Sequence, residues 1–205
     1  MNITFDEAAH RYTVDGVEVP SVTTVCRFLA YDQKSDKPWM ARVAADRGTR
    51  VHEACAMIDY GEEPEEDFET AGYLKAYRRF LKDYRPDWEG SEYTVGDAQL
   101  GLAGTIDRFG TLYDGRSCIL DIKTGSQLHD APLRAQLTGY KRLLALDRGF
   151  YPDYLYALQL SKDGTYTMVD VRQDDELLNA CMFIHNAVVG LYLFTHYALR
   201  LAYLW

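Results

Sequence analysis

The spacing of apolar residues along the chain switches between the periods of strands and helices. Stretches such as RYTV, SEYTV and SCILDIK alternate with a period of two, and Asp-Gly pairs at 15–16 and 114–115 are turn signals. Elsewhere apolar residues recur at helical spacing, as the leucines of 131–146 do. The predicted elements, in order, are a hairpin over 3–19, helices over 21–30, 39–60 and 68–84, strands over 91–95, 101–113 and 117–123, a helix over 131–146, strands over 153–160 and 165–171, and a helix from 173.

This order of elements indicates a mixed α/β fold, in which helices flank a mixed central β-sheet. No internal repeat, Pro/Ser-rich linker or low-complexity tract divides the 205 residues, a length that suits one domain. We therefore expect a single domain over 1–205. It would comprise an N-terminal β-hairpin and short helix over 1–36, an α/β core over 37–171 and a C-terminal helix over 172–205.

The C-terminal helix has an unusual composition. Residues 177–199 contain no Asp, Glu, Lys or Arg and are long enough to cross a bilayer. The same stretch contains Asn179, His185, Asn186 and His196, which a membrane-spanning helix has little use for. We expect no membrane association, and favour a helix that packs on the core, on a second copy of the chain or on a partner protein.

Composition and charge limit the classes of protein that fit this chain. Hydrophobic residues make up 47% and charged residues 26%, values typical of globular proteins and not of collagen-like, coiled-coil or disordered chains. The net charge of −9 argues against a protein that coats nucleic acid through bulk positive charge. The negative net charge is compatible with a nucleic-acid enzyme, because one basic groove around a metal site is sufficient to bind the substrate.

The cysteines and the N-terminal residues bear on cofactor and compartment. Cys26, Cys55, Cys118 and Cys181 form no CxxC pair, which argues against a zinc ribbon or a clustered iron–sulfur site. The start MNITFDEAAH lacks the basic and apolar regions of a signal peptide. We expect an intracellular, cytoplasmic protein with reduced thiols.

Candidate chemistry lies on the predicted strands 101–113 and 117–123. Asp121 and Lys123 are two residues apart, so their side chains share one face of a strand. If the two strands pair through the turn at 114–115, Asp107 reaches the same face. Two carboxylates suit a hard divalent cation, and a nearby lysine can orient or deprotonate a water molecule. The alternative is a surface ion pair between Lys123 and one of the aspartates.

Two further groups lie on predicted helices. Gln136 and Tyr140 are four residues apart and therefore lie on the same helix face. In RGTRVHEA, His52 is a possible metal ligand, and Arg47 and Arg50 are possible phosphate contacts. The alternative for a single histidine on a helix is a packed core residue.

The series RGTRVHEA, GTIDR, DIKTG and QLTGY resembles the RecB-like exonuclease branch of the PD-(D/E)XK nuclease superfamily, in phage and prophage members especially. The four motifs occur in the family's order and on the expected kinds of element, and the resemblance covers roughly residues 3–160. It implies a restriction-endonuclease-like core for 37–171. It also implies a metal-dependent DNA nuclease, with an exonuclease favoured.

The resemblance implies a role for each matching residue. The implied metal ligands are His52, Asp107, Asp121 and the backbone carbonyl of Ile122, with Glu92 at a position that is often acidic in the family. Lys123 would position or activate the attacking water, and Gln136 and Tyr140 would hold the DNA strand or Lys123 itself. The implied cofactor is Mg²⁺ or Mn²⁺. An iron–sulfur cluster is not expected, because only Cys181 lies near the C-terminus.

The implied partner is DNA, single-stranded or with free ends, in a bacterial host or encoded by a phage. The expected DNA contacts are Arg47, Arg50, Arg78, Arg79 and Lys141. Tyr73 and Tyr77 are either stacking platforms for bases or core residues. The alternatives to an exonuclease are a structure-specific endonuclease of the same fold and a non-catalytic DNA-binding or assembly module.

Overall fold

The computed structural model of the chain describes residues 2–6, 9, 11–29 and 38–202, with the side chains of 38 and 191–202 excepted. The predicted end of the first helix, at residue 30, and the predicted boundary at 36–37 lie outside these residues. The elements are β1 (Ile3–Asp6), β2 (Arg11–Val14), β3 (Val17–Val19), α1 (Val22–Val25), α2 (Pro38–Asp59), α3 (Ala71–Tyr84), β4 (Asp87–Asp97), β5 (Leu102–Thr111), β6 (Ser117–Lys123), α4 (Asp130–Arg148), β7 (Tyr154–Leu160), β8 (Tyr166–Asp170) and α5 (Asp175–Ala202).

The predicted mixed α/β fold is confirmed. A five-stranded sheet has the order β4-β5-β6-β7-β8, and a separate three-stranded sheet has the order β1-β2-β3. Neighbours in the large sheet are antiparallel except β6 and β7, which are parallel and joined through α4. Such a parallel pair needs a crossover connection, which α4 supplies. The predicted hairpin is therefore part of a three-stranded antiparallel sheet.

Local signals explain two of the element boundaries. Asp15 and Gly16, which join β2 to β3, both have positive φ values of 49° and 84°, as a tight hairpin turn requires. Ser21 caps α1 as expected, because its side chain accepts a hydrogen bond from the backbone N–H of Thr24 at 3.0 Å. The α-helix ends at Val25, earlier than predicted, since residues 27–29 tighten into a 3₁₀ turn.

The large sheet separates two apolar layers. Ile119 of β6 packs on the face covered by α1, α4 and α5, with Leu137 among its neighbours. Leu120 and Ile122 point to the opposite face, which α2 and α3 cover with residues such as Phe80. Strand alternation thus turns Asp121 and Lys123 toward the α4 layer, in the direction of Ile119.

The ladder between β5 and β6 stops near the middle of the sheet. Its pairs end at Arg108 and Leu120, so Asp107 and Asp121 come next, on the two separate strands. No helix of the described residues combines the length and apolarity that a bilayer crossing needs.

Candidate metal centre

Asp107 lies at the point where β5 and β6 part. Its side chain is buried, and its Oδ2 accepts a hydrogen bond of 2.6 Å from the backbone N–H of Ile122. The carboxylate therefore takes the place of a missing ladder partner for β6. A buried carboxylate in this position can bind a backbone donor and a cation together, because each oxygen has two lone pairs.

His52 approaches the same carboxylate from α2. Its Nδ1 is 3.5 Å from Asp107 Oδ2 and 3.9 Å from Glu92 Oε1. Its Nε2 lies 3.0 Å from the backbone carbonyl oxygen of Ile122 and donates a hydrogen bond to it. This bond fixes the ring so that Nδ1 faces the carboxylates, the arrangement that metal-binding histidines commonly show. The carbonyl predicted as a metal ligand thus accepts a hydrogen bond from His52.

Glu92 enters the site from a strained backbone. Its φ of 48° lies in the left-handed region, which costs of order 1–3 kcal/mol for a residue with a side chain. The pairing of β4 with β5 includes Ser91 with Arg108 and Tyr93 with Ile106 and omits Glu92. Strain of this kind persists where surrounding contacts hold it, and here it brings Glu92 to the cluster.

His52, Glu92 and Asp107 form one cluster of candidate ligands. Each offers one ligand atom, and these atoms all lie within 4.8 Å of one another. Two carboxylate oxygens and one imidazole nitrogen suit Mn²⁺ well and are compatible with Mg²⁺. Glu92 supplies the second carboxylate of this cluster, the position that the sequence assigned to Asp121.

Asp121 belongs to a second, adjoining group. It is buried, its Oδ2 lies 2.6 Å from Lys123 Nζ, and its Oδ1 accepts a hydrogen bond of 3.0 Å from Gln136 Nε2. Gln136 also donates to the hydroxyl of Tyr140 at 3.2 Å. The structure therefore brings together the four residues expected from DIKTG and QLTGY, with a largely buried ion pair in place of a surface one.

Gly104 of the GTIDR strand makes room for this second group. A Cβ atom at Gly104 would lie 2.7 Å from Cε1 of the Tyr140 ring, closer than carbon atoms approach. The glycine therefore lets the Tyr140 ring pack on β5, with its hydroxyl at Gln136.

Burial and neighbouring charges set the protonation states of the His52 cluster. Burial disfavours a charged imidazole, but the Asp107 carboxylate, and then Glu92, raise the pKa of His52 to about 9. Burial likewise opposes ionisation of Asp107, but His52 and Lys123 lower its pKa to about 2. Burial and Asp107 raise the pKa of Glu92. At neutral pH the metal-free cluster thus has a proton where a metal ion would bind.

In the second group, the balance of burial and neighbouring charges raises the pKa values of both Asp121 and Lys123. Burial raises the pKa of Asp121; attraction to the Lys123 ammonium offsets part of this rise, and repulsion from Asp107 adds to it. Burial lowers the pKa of Lys123, but attraction to Asp121 and Asp107 dominates, and the pKa is raised. Lys123 is therefore an ammonium ion at neutral pH.

Arg108 supports the cluster through Glu92, a role that the sequence patterns did not predict. Its side chain is fully buried, with Nε 2.5 Å from Asp59 Oδ2 and Nη1 3.0 Å from Glu92 Oε1. Tyr77 donates from its hydroxyl to Asp59 at 2.8 Å. Two signals were present: an arginine inside the apolar strand LAGTIDRFG, and Asp59 two helical turns after His52.

The predicted DNA contacts differ in their surroundings. Arg50 pairs with Asp46, Asp67 and Glu69, and Arg78 pairs with Glu63 and Glu66, so the acidic segment after α2 neutralises both. Arg79 is 63% exposed, with a long contact of 3.9 Å to Asp83. Lys141 is half-buried on α4, and Arg47 lies over the Tyr73 ring. Tyr73 and Tyr77 are buried core residues of α3.

Two cavities flank α2 next to these groups. One, of about 520 Å³, is lined by His52, Glu53 and Glu92 together with Thr94 and Thr105. The other, of about 670 Å³, begins at Thr124, directly after Lys123, and includes Arg47. The candidate centre is therefore open to a ligand on the side of the first cavity, and the second cavity begins one residue beyond Lys123 along the chain.

No known family profile and no curated protein matches the chain. Among solved structures, it is similar to an alkaline exonuclease, LHK-Exo, from Laribacter hongkongensis, with 13% identity and a TM-score of 0.48 over 90% of this chain and 93% of that one. LHK-Exo in complex with dAMP gives 12% identity and a TM-score of 0.40 over the same shares. Similarity at this level assigns no residue, so function rests on the geometry of the site.

Proposed function

We propose that the chain is a metal-dependent DNA nuclease of the RecB-like PD-(D/E)XK type, acting as an exonuclease with Mg²⁺ or Mn²⁺. The observation that carries the proposal is the convergence of His52, Glu92 and Asp107 within 4.8 Å, at the fork between β5 and β6. The Asp121–Lys123 pair adjoins this cluster on β6. The order of these residues along the chain, with His52 on a helix and the others on strands, is the order that the motif resemblance implies.

The residues present fit a divalent cation. His52 Nδ1, Glu92 and Asp107 would hold it, and Asp121 is a further candidate ligand once a cation competes with Lys123. A bound divalent cation polarises a phosphodiester and lowers the pKa of a bound water. His52 must lose a proton on loading, since its pKa is about 9 in the metal-free protein.

Lys123 acts in this proposal as a fixed positive charge. Its raised pKa keeps it protonated, so it stabilises negative charge on the phosphate and orients a water molecule by donating hydrogen bonds. Asp121 holds the ammonium at 2.6 Å, and Gln136 holds Asp121. Gln136 and Tyr140 thus support Lys123 through Asp121, which favours positioning of Lys123 among the roles expected for them.

A DNA substrate agrees with the intracellular location expected from the sequence. Positioning and charge stabilisation supply most of the catalysis in phosphoryl transfer, and the site offers both. The cavity of about 520 Å³ beside His52 and Glu92 gives a strand room at the cluster.

The proposal is tested by incubating the purified chain with end-labelled linear and circular DNA, single- and double-stranded, with Mg²⁺ or Mn²⁺. We expect release of labelled nucleotides from linear DNA only, and none with EDTA. Cleavage of circles would point to an endonuclease. A chain that binds Mn²⁺ and DNA but cleaves neither form would be a non-catalytic module.

A further inference from the structure

The larger cavity beside α2 differs from its surroundings in charge. It lies between α2, the loop after β6 and the turn between β7 and β8, and its volume is about 670 Å³. Among the described residues, no Asp or Glu lines it, whereas Glu53 and Glu92 line the cavity beside His52. In a chain of net charge −9, such a lining is unusual. We name it the Arg47 cavity; its polar lining includes Arg47, Tyr73, Thr124, Ser126, Lys162 and Thr167.

Arg47 is the main charged group within this cavity. Its guanidinium carbon lies 5.5 Å from the centre of the Tyr73 ring, which orients the planar group. Its Nε is buried without a hydrogen-bond partner, and within the described part of the chain no carboxylate pairs with it. Arg50, three residues later, pairs with three carboxylates. Arg47 therefore retains the donors that an anion needs.

The walls of the cavity are held in place by the fold. Gln159 donates from Nε2 to the carbonyl of Gly125 at 2.7 Å and fastens the loop after β6. The turn between β7 and β8 closes with a bond of 2.9 Å from the N–H of Ser161 to the carbonyl of Thr165. Asp163, the carboxylate within this turn, accepts hydrogen bonds from Thr165 and is not part of the lining.

The cavity begins one residue beyond Lys123 along the chain. Lys123 is the last residue of β6, and Thr124 and Ser126 of the following loop line the cavity. The path inferred for an extended polyanion runs from one phosphate at Lys123 to a neighbouring phosphate in this cavity. Hydroxyl and guanidinium donors without a carboxylate are the usual partners of a phosphate diester.

We propose that the Arg47 cavity binds a backbone phosphate of the DNA strand, next to the phosphate that is cleaved. Arg47 is the principal donor, the Thr124 and Ser126 hydroxyls assist it, and Lys162 adds positive charge at the rim. The inference rests on the proposed nuclease function and adds a specific subsite to it.

The test uses single-stranded oligodeoxynucleotides, each with one neutral methylphosphonate linkage at a known position, digested by the full chain with Mn²⁺. In the wild type we expect two pauses in the digestion ladder. The first pause occurs when the neutral linkage reaches the cleaved position. The second, a slowing of cleavage by about tenfold, occurs when the linkage reaches the Arg47 cavity, because a neutral linkage cannot accept a charge-assisted hydrogen bond there. Arg47→Gln should slow cleavage of the unmodified strand and abolish only the second pause.

Arg172→Gln is the matched control, because it removes the same charge from an arginine that is 75% exposed and outside the cavity. It should keep both pauses. Arg47→Lys, which retains the charge, should restore part of the second pause. It thereby controls for misfolding as the cause of the effect in Arg47→Gln. A second pause that survives in Arg47→Gln, or vanishes equally in Arg172→Gln, would overturn the subsite and leave the nuclease intact. Failure of the wild type to cleave any strand would instead overturn the nuclease function, and the subsite with it.

Discussion

Individual side chains at the centre serve both the fold and the candidate chemistry. Asp107 accepts the backbone N–H of Ile122 and also faces His52, so the residue that closes the strand fork is the one that would bind metal. Glu92 is held by Arg108 at 3.0 Å while its backbone is strained. Strained or buried polar groups with such partners are characteristic of functional sites.

Removal of Arg108 should be strongly destabilising. Arg108→Met leaves Asp59 buried without its counter-charge, and loss of one partner of a buried ion pair typically costs about 3–5 kcal/mol. Denaturant unfolding measures the change. The double variant Arg108→Met with Asp59→Leu should recover much of the loss, because the buried carboxylate of Asp59 is then gone and Glu92, the other partner of Arg108, is 37% exposed. Equal loss in the single and double variants would contradict the role given to this pair.

The stability of the metal-free protein should depend on pH through His52. The pKa of His52 is raised from 6.5 in the unfolded chain to about 9 in the fold. The contribution of the charged His52 imidazole to the free energy of unfolding is therefore fully present below about pH 6.5 and is lost as pH rises through 9. We expect the melting temperature in EDTA to fall across this interval in the wild type relative to His52→Gln. A constant difference between the two would contradict the pairing with Asp107.

Spacing along the chain grouped four of the residues beside the cluster, whereas His52 and Glu92 were expected at the site only from the motif resemblance. Asp121 and Lys123 share a face by strand alternation, and Gln136 and Tyr140 share one by helical spacing. Arg108 was not predictable from spacing, because its partners Asp59 and Glu92 come from α2 and β4. Only the tertiary fold brings those three together.

At the scale of elements, the sequence predicts the strands and turns, whereas tertiary packing sets several element ends and contacts. The sheet was predictable because its strands alternate and its turns contain Asp-Gly. The early end of α1, and the fork between β5 and β6, depend on packing and on a side chain that replaces a ladder bond, which local patterns do not encode. Gly72 on α3 shows the same dependence: a Cβ there would lie 1.9 Å from the carbonyl oxygen of Lys162.

Gly72→Ala should therefore destabilise the protein. A gain in helix propensity of at most about 1 kcal/mol is outweighed by displacement of the turn between β7 and β8, since overpacking typically costs about 1–3 kcal/mol. Gly190→Ala on α5 is the control, because its Cβ meets nothing within 4 Å, and it should be neutral or stabilising. Thermal unfolding compares them, and equal shifts in both variants would argue against the close approach.

At the scale of the whole molecule, charge and apolar surface are unevenly distributed. The acidic segment after α2 neutralises Arg50 and Arg78, which leaves the Arg47 cavity as a local exception in a chain of net charge −9. On α5, Phe183 is 73% exposed and Val188 is 62% exposed. Large apolar side chains exposed along one helix favour contact with another protein surface.

The charge-free sequence predicts that α5 packs against a second copy of the chain or a partner protein, and of these we expect self-association. Phe183→Asp with Val188→Asp should shift the protein toward the monomer at micromolar concentration, because a charged face cannot be buried without a counter-charge. Light scattering measures the molar mass of both forms. A wild type that is strictly monomeric under these conditions would contradict self-association.

The most direct test of the metal centre is calorimetric titration with Mn²⁺ at neutral pH. Wild-type protein should bind Mn²⁺ with release of protons from His52, so the measured heat should vary with the ionisation enthalpy of the buffer. Asp107→Asn keeps an acceptor for the N–H of Ile122 but removes a carboxylate from the cluster, and it should lose this binding while melting as a folded protein. Unchanged Mn²⁺ affinity in Asp107→Asn would contradict a metal centre formed by His52, Glu92 and Asp107.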